Sequence, residues 1–197
     1  MALIDSLLKQ IAGAPAAQIA KQLGVDESIA TSAITSALPV ILGGLAKNSQ
    51  SSDGASAITG ALDRDHDGSI MDDLLGFATQ GNTSIGDGIL GHVFGGARPK
   101  AEAAISKSSS LNMGQAAKLM MMLAPMVMGY LGKKKRESNL DAGGLADALN
   151  VESEKHGPPD ASLAGMVTSM LDADGDGSAV DDVLMKIGGS LLSRFTS

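Results

Sequence analysis

Apolar residues recur every three or four positions along almost the whole chain, which is the spacing of a helix face rather than of a strand. Leu3, Ile4, Leu7, Leu8 and Ile11 make one such face. Gly13 and Pro15 punctuate a turn. Ala16, Ile19, Ala20 and Leu23 then resume the helical spacing, and Gly24 ends that helix. Asp26 is placed to cap a long helix carrying Ile29, Ala33, Ile34, Leu38, Ile41, Leu42 and Leu45. Pro39 removes one backbone hydrogen bond from that helix and should kink it. Residues 48–54 read as a Ser-rich linker. A short helix over about 55–62 should lead into an acidic loop, and another from about Met71 should leave it. The expected fold class is all-α, with no sheet beyond a two-residue pairing inside the acidic loops.

The pattern repeats. Leu38-Pro39-Val40-Ile41-Leu42-Gly43-Gly44-Leu45 aligns with Ala124-Pro125-Met126-Val127-Met128-Gly129-Tyr130-Leu131 at an offset of 86. The same offset places Leu3, Leu7 and Leu8 on Ile89, Val93 and Phe94, Ile19 on Ile105, Val25 on Leu111, and Asp26 on Asn112. The chain therefore reads as two tandem helical units, 1–85 and 86–197. Two acidic loops lie 109 residues apart, so the second unit holds a 23-residue insertion between its long helix and its loop. The halves should diverge from about Arg136 to Ser162, with His156-Gly157-Pro158-Pro159 as a loop. Gly86, Gly88 and Gly91 lack the spacing and the preceding strand of a phosphate cradle. Met113 and the methionines of 120–128 suit a core that lacks large rings, with a copper-binding or partner-binding face as the alternative. Lys133-Lys134-Lys135-Arg136 is favourable charge at a helix C-terminus, with a membrane-surface or phosphate patch as the alternative.

The two acidic loops carry the chemistry. Asp63-Arg64-Asp65-His66-Asp67-Gly68-Ser69-Ile70-Met71-Asp72-Asp73-Leu74 has a twin in Asp172-Ala173-Asp174-Gly175-Asp176-Gly177-Ser178-Ala179-Val180-Asp181-Asp182-Val183. Aspartates at alternate positions bring three carboxylates toward one point, and glycine at the sixth position permits the turn that closes the loop. That is the oxygen-rich cage a calcium ion takes, flanked by helices as in an EF-hand. Asp63, Asp65, Asp67, Asp172, Asp174 and Asp176 would ligate through side chains, and Ser69 and Ser178 through backbone carbonyls. The twelfth position is Leu74 or Val183 where an EF-hand has Glu. The loop should then be shortened, with Asp73 and Asp182 closing the sites and Asp72 and Asp181 capping the outgoing helix or holding a water. Without the Glu, Kd should fall in roughly the 10⁻⁵–10⁻³ M range. Five carboxylates per loop repel one another when the loop is empty, and Arg64 alone does not balance them.

Composition narrows the rest. Aromatic residues are only 2% of the 197, so the core is built from Leu, Ile, Val, Ala and Met. The net charge of −7 is local. The two loops hold ten of the 22 acids, and the remaining 12 face 15 bases. No broad acidic face calls for a basic partner. There is no Cys, which excludes thiolate metal sites and Cys nucleophiles. Residues 1–5 show no secretory pattern, which sets a cytoplasmic default with unconventional export left open. The longest apolar run, 119–131, is broken by Pro125 and is shorter than the about 20 residues a span needs, so no transmembrane segment is expected. His66, His92 and His156 have no Ser-His-Asp, zinc or phosphate-loop frame, so no enzyme is expected. His92 should be a satisfied core histidine. The leading function is a calcium-binding structural or protein-interaction module with two Ca²⁺ sites, its partner being another protein or a second copy. The alternative is nucleic-acid binding through a helix-turn-helix-like unit at 18–36. Its would-be recognition helix has no Lys or Arg between Glu27 and Lys47 to neutralise phosphate.

Four segments resemble the bacterial family of unknown function typified by YidB. They are the stretch from Leu38 through Asn48, the loop from Leu62 through Ser69, the segment from Ile89 through Gly96, and Met128-Gly129-Tyr130-Leu131-Gly132-Lys133. The resemblance covers nearly the whole chain. It implies an all-helical fold with a homeodomain-like arrangement of helices. It brings no catalytic residues, and it implies aspartate loops in many longer members.

Overall fold

Two long apolar helices organise everything else. In the computed structural model, which describes residues 3–64, 68–81 and 83–156, α3 (Glu27–Ser49) and α8 (Met113–Glu137) pack on each other. Both continue through their internal prolines, Pro39 and Pro125. Around them stand α1 (Leu3–Ile11), α2 (Ala14–Leu23), α4 (Ser52–Arg64), α5 (Leu74–Gln80), α6 (Ser84–Phe94), α7 (Arg98–Ser108) and α9 (Ala142–His156). Among the described residues every regular element is helical, as the apolar spacing predicts. All of them belong to one unit, Met1–Gly157.

The core is aliphatic. Leu7, Ile11, Ile19, Ile34, Leu38, Ile41, Leu42 and Leu45 are almost fully buried on the first three helices. From α8, Leu119, Met120, Met122, Leu123, Met126, Val127 and Met128 are buried with them. The methionines are thus core-filling residues, since an unbranched thioether fits the irregular gaps left without rings. Met121 is only half-buried, and Met113 is exposed at the start of α8.

Helix ends follow the residues that cap them. Gly24 closes α2 in the left-handed conformation at φ 68°. Asp26 sits at the N-cap of α3, but its side chain makes no capping bond. Asn112, its counterpart on α8, completes a capping box. It accepts from the Gln115 backbone N–H at 2.9 Å, while Gln115 Oε1 accepts from the Asn112 N–H at 3.0 Å. Gln115 also donates to the Leu23 carbonyl, and Lys118 Nζ donates to the Gln22 carbonyl at 2.6 Å. Two side chains of α8 therefore satisfy the C-terminal carbonyls of α2, where a cation is favoured.

Three features depart from the sequence expectation. The linker expected over 48–54 is only a tight turn, because Ser51 caps α4 by accepting from the Gly54 N–H at 3.0 Å. A side chain at Gly54 would overlap the Asn48 carbonyl, so glycine permits the close turn. The inserted region, for which no helix was expected, contains α9 as far as His156, while Gly157, Pro158 and Pro159 of the expected loop lie outside the described residues. Leu145, Leu149 and Glu152 are buried at helical spacing, and α9 packs on α3 and α4. Glu152 Oε1 accepts from the Ile4 N–H at 2.9 Å, meeting one of the open donors at the start of α1. Third, α3 is long and apolar enough to cross a membrane by length and composition, although no span was expected. The expectation looked for unbroken apolar runs, and Thr31, Ser32, Thr35 and Ser36 interrupt this one. Of its most apolar window 56% is buried against other helices, and a buried core helix meets the same criterion.

Candidate metal centre

The first acidic loop begins on the last turn of α4. Ala55, Ile58 and Leu62 anchor that helix, leaving Asp63 and Arg64 exposed at its end. The chain re-enters at Gly68, whose φ of 90° lies in the left-handed region where glycine is preferred. A single 3-10 turn, Ser69–Asp72, follows, with the Met71 N–H donating to the Gly68 carbonyl at 3.0 Å. Then α5 begins. Among the described residues α4, the 3-10 turn and α5 follow in that order.

This segment is fastened to α8. A side chain at Gly129 would overlap Ile70 Cγ2, so the missing side chain is the seat into which Ile70 fits. A side chain at Gly68 would press on Lys133 Cβ at 2.9 Å and on the Arg136 guanidinium at 3.0 Å. Gly68 thus lies against the basic C-terminal end of α8. Lys135 Nζ donates to Asp63 Oδ1 at 2.5 Å, with the lysine side chain only 14% exposed. Arg64 is therefore not the only cation near these acids. Folding brings Lys135 to Asp63 from 72 positions away, a balance that reading the loop alone overlooks. Lys133–Arg136 is also the charge at the α8 C-terminus that the sequence suggested.

The two closing aspartates do not divide their roles as expected. Asp73, not Asp72, caps α5, its Oδ1 accepting from the Gly76 N–H at 2.8 Å. The 3-10 turn takes up Ser69 through Asp72, so the outgoing helix starts at Leu74 rather than near Met71 and its cap falls to Asp73. Asp72 is exposed beside it. Asp65, His66 and Asp67 lie outside the described residues, as do Asp172, Asp174, Asp176, Ser178, Asp181 and Asp182. Among the described residues no three His, Asp or Glu side chains converge on one point.

His92 is a correction. It is exposed on α6, where its Nδ1 lies 2.8 Å from the Gly88 carbonyl. Leu90 is fully buried on the far face of the helix, while Ile89, one turn before His92, is only half-buried. One glycine of α6 has a packing reason. Gly86 is buried where a side chain would overlap the Met121 carbonyl, so α6 rests directly on the α8 backbone.

The pattern of a bacterial protein family of unknown function, DUF937, matches residues 5–134. The chain belongs to this family. The DUF937 match runs from α1 nearly to the end of α8 and includes the first acidic loop. It agrees with the YidB-type resemblance and leaves α9 outside the matched stretch. No curated protein and no solved structure matches the chain.

Proposed function

We propose that this DUF937 protein is a calcium-binding helical module, structural or protein-interacting, in which each acidic loop holds one Ca²⁺ in an EF-hand-like manner. One observation carries the reading. Gly68, at the sixth position of an Asp-x-Asp-x-Asp-Gly run, turns in the left-handed region at φ 90° between α4 and the turn leading to α5. That is where a calcium loop needs its sharp turn. Asp63 stands at the first position on the end of α4, and Asp73 keeps one carboxylate oxygen beyond the one that caps α5.

The tandem-repeat reading goes with it. An offset of 86 carries α3, 27–49, onto 113–135, beside α8 at 113–137. It carries α2 onto 100–109 beside α7 at 98–108, and α1 onto 89–97 near α6 at 84–94. Both long helices start from an extended N-cap residue and contain a proline at the same register. One unit would then span 1–85 and the other 86–197, with α9 in the insertion. An ion bound only by the folded state adds RT ln(1 + [L]/Kd), about 2.7 kcal/mol at a hundredfold excess.

The test is calorimetric titration of calcium into chelator-stripped full-length protein, with thermal unfolding in calcium and in chelator. Two weak sites and a raised Tm are expected. Absent heat with an unmoved Tm would return the loops to solvated acidic turns.

A further inference from the structure

Beside the acidic loop, α4 and α6 flank a cleft of about 1050 Å³ whose loop end shares Gly68, Ser69 and Asp73 with the proposed calcium site. Ala57, Ile58 and Ala61 line it from α4, and Ile85, Ile89 and Val93 from α6. Each set follows helical spacing, so two continuous apolar stripes face the same space. Pro125 and Met128 of α8 line it too. Ile85 is 47% exposed, an unusual state for a large aliphatic group beside so much apolar wall. Among the described residues Phe77 and His92 bring the only aromatic rings to the lining.

The two ends differ. At one, Asn48 Nδ2 donates to the Val93 carbonyl at 2.7 Å and ties α3 to α6. Gly54 is pressed against Asn48 at this end. Arg64 stands ten residues further along α4, about 15 Å away at the rise of a helix, and is exposed. Asp73 shares that end with one oxygen held by the Gly76 N–H, and the Arg136 guanidinium lies beside Gly68 of the same lining. An elongated aliphatic slot tied off at one end, with a cation at the other, matches a linear chain bearing an anionic head. We infer that this cleft binds a single-chain amphiphile, an acyl chain lying between α4 and α6 with its carboxylate toward Arg64. The volume is that of an ordinary small-molecule site.

The test uses delipidated full-length protein titrated with octanoate, dodecanoate and hexadecanoate below their micelle concentrations. Saturable binding is expected, tightening about fourfold per added methylene until the slot is full. Gly88 lines the cleft, and a Cβ there meets nothing within 4 Å. Gly88→Leu should weaken binding at least tenfold without lowering Tm, because leucine favours the helix over glycine. Arg64→Gln should weaken dodecanoate but leave dodecanol unchanged, which separates head from tail. Absent saturation, or binding indifferent to Gly88→Leu, overturns the proposal. So does a concentration-dependent dimer that Gly88→Leu disperses, since that would make the cleft a protein-docking face.

Discussion

Lys135→Gln is the substitution that best separates the electrostatics of the loop from its folding. Lys135 meets Asp63 at 2.5 Å, and the Asp63 side chain is 55% exposed. A half-exposed pair of this kind is worth about 0.2–1 kcal/mol after solvent screening. Without calcium, removing the lysine should therefore cost no more than about 1 kcal/mol and lower Tm by a few degrees. With calcium the sign reverses. In the proposed site the ion would need the Asp63 carboxylate free, and Lys135 would compete for it. Removing that competitor should tighten calcium binding by up to about fivefold, the equivalent of 1 kcal/mol. Added salt should shrink both effects, because exposed charges are screened within about 10 Å at 0.1 M. The assays are calcium titration by calorimetry and thermal melts in chelator, on wild type and variant at two salt concentrations. A variant that loses stability in chelator yet binds calcium no more tightly than wild type would refute competition at Asp63.

Three further outcomes follow from the packing. Gly129→Ala should cost about 1–3 kcal/mol by overpacking against Ile70, and a Gly129→Ala, Ile70→Ala double variant should recover part of that loss in a denaturant titration. Glu152→Ala should cost about 1–3 kcal/mol by leaving the buried Ile4 N–H unpaired, whereas Glu152→Gln, which keeps an acceptor, should cost less. Burial holds the Tyr130 phenol above its ordinary pKa of 10, partly offset by a hydrogen bond to Ser6 and assisted by Glu137 and Glu152. The unfolded chain then ionises first, so stability should be intact below pH 10 and fall above it. Tyr130→Phe should flatten that alkaline slope, measured as Tm against pH.

Much of the helix order was legible because long amphipathic runs declare themselves. The α1 and α2 faces, the Gly24 stop and the α8 methionine core all follow from spacing and composition. The failures have physical causes. α9 buries only Leu145 and Leu149 as large apolar groups and opens with two glycines, so its apolar face is thin. Its start was nonetheless signalled by Asp141, which accepts from the Gly144 N–H at 2.8 Å in an ordinary N-terminal cap. His92 was misjudged because its side of α6 is open, with Ile89 and Val93 beside it only half-buried. The Lys135–Asp63 contact joins residues 72 positions apart, and no local pattern encodes it.

Glycine is where local and tertiary readings part most clearly. Read along the chain, Gly44, Gly86 and Gly129 are weak points in helices, each costing up to about 1 kcal/mol against alanine. In the fold, each marks a close approach. Gly44 faces Val93 Cγ1 and the Phe94 ring, where a side chain would come within 2.7 Å and 2.8 Å. Gly86 lies against the Met121 backbone, and Gly129 receives Ile70. A chain with so few aromatic residues cannot fill wide gaps between helices, so it brings the helices closer instead, and only glycine allows that. The consequence for the loop is direct. Ile70 follows Gly68 by two residues and Ser69 by one, so the turn next to the aspartates is held by its fit on α8 rather than by the loop itself. Calcium affinity should therefore depend on Gly129 although it supplies no ligand. Gly129→Ala should weaken calcium binding in excess of any effect of the more remote Gly44→Ala at matched loss of stability. Equal calcium affinities for the two variants would show that the loop closes independently of its seat.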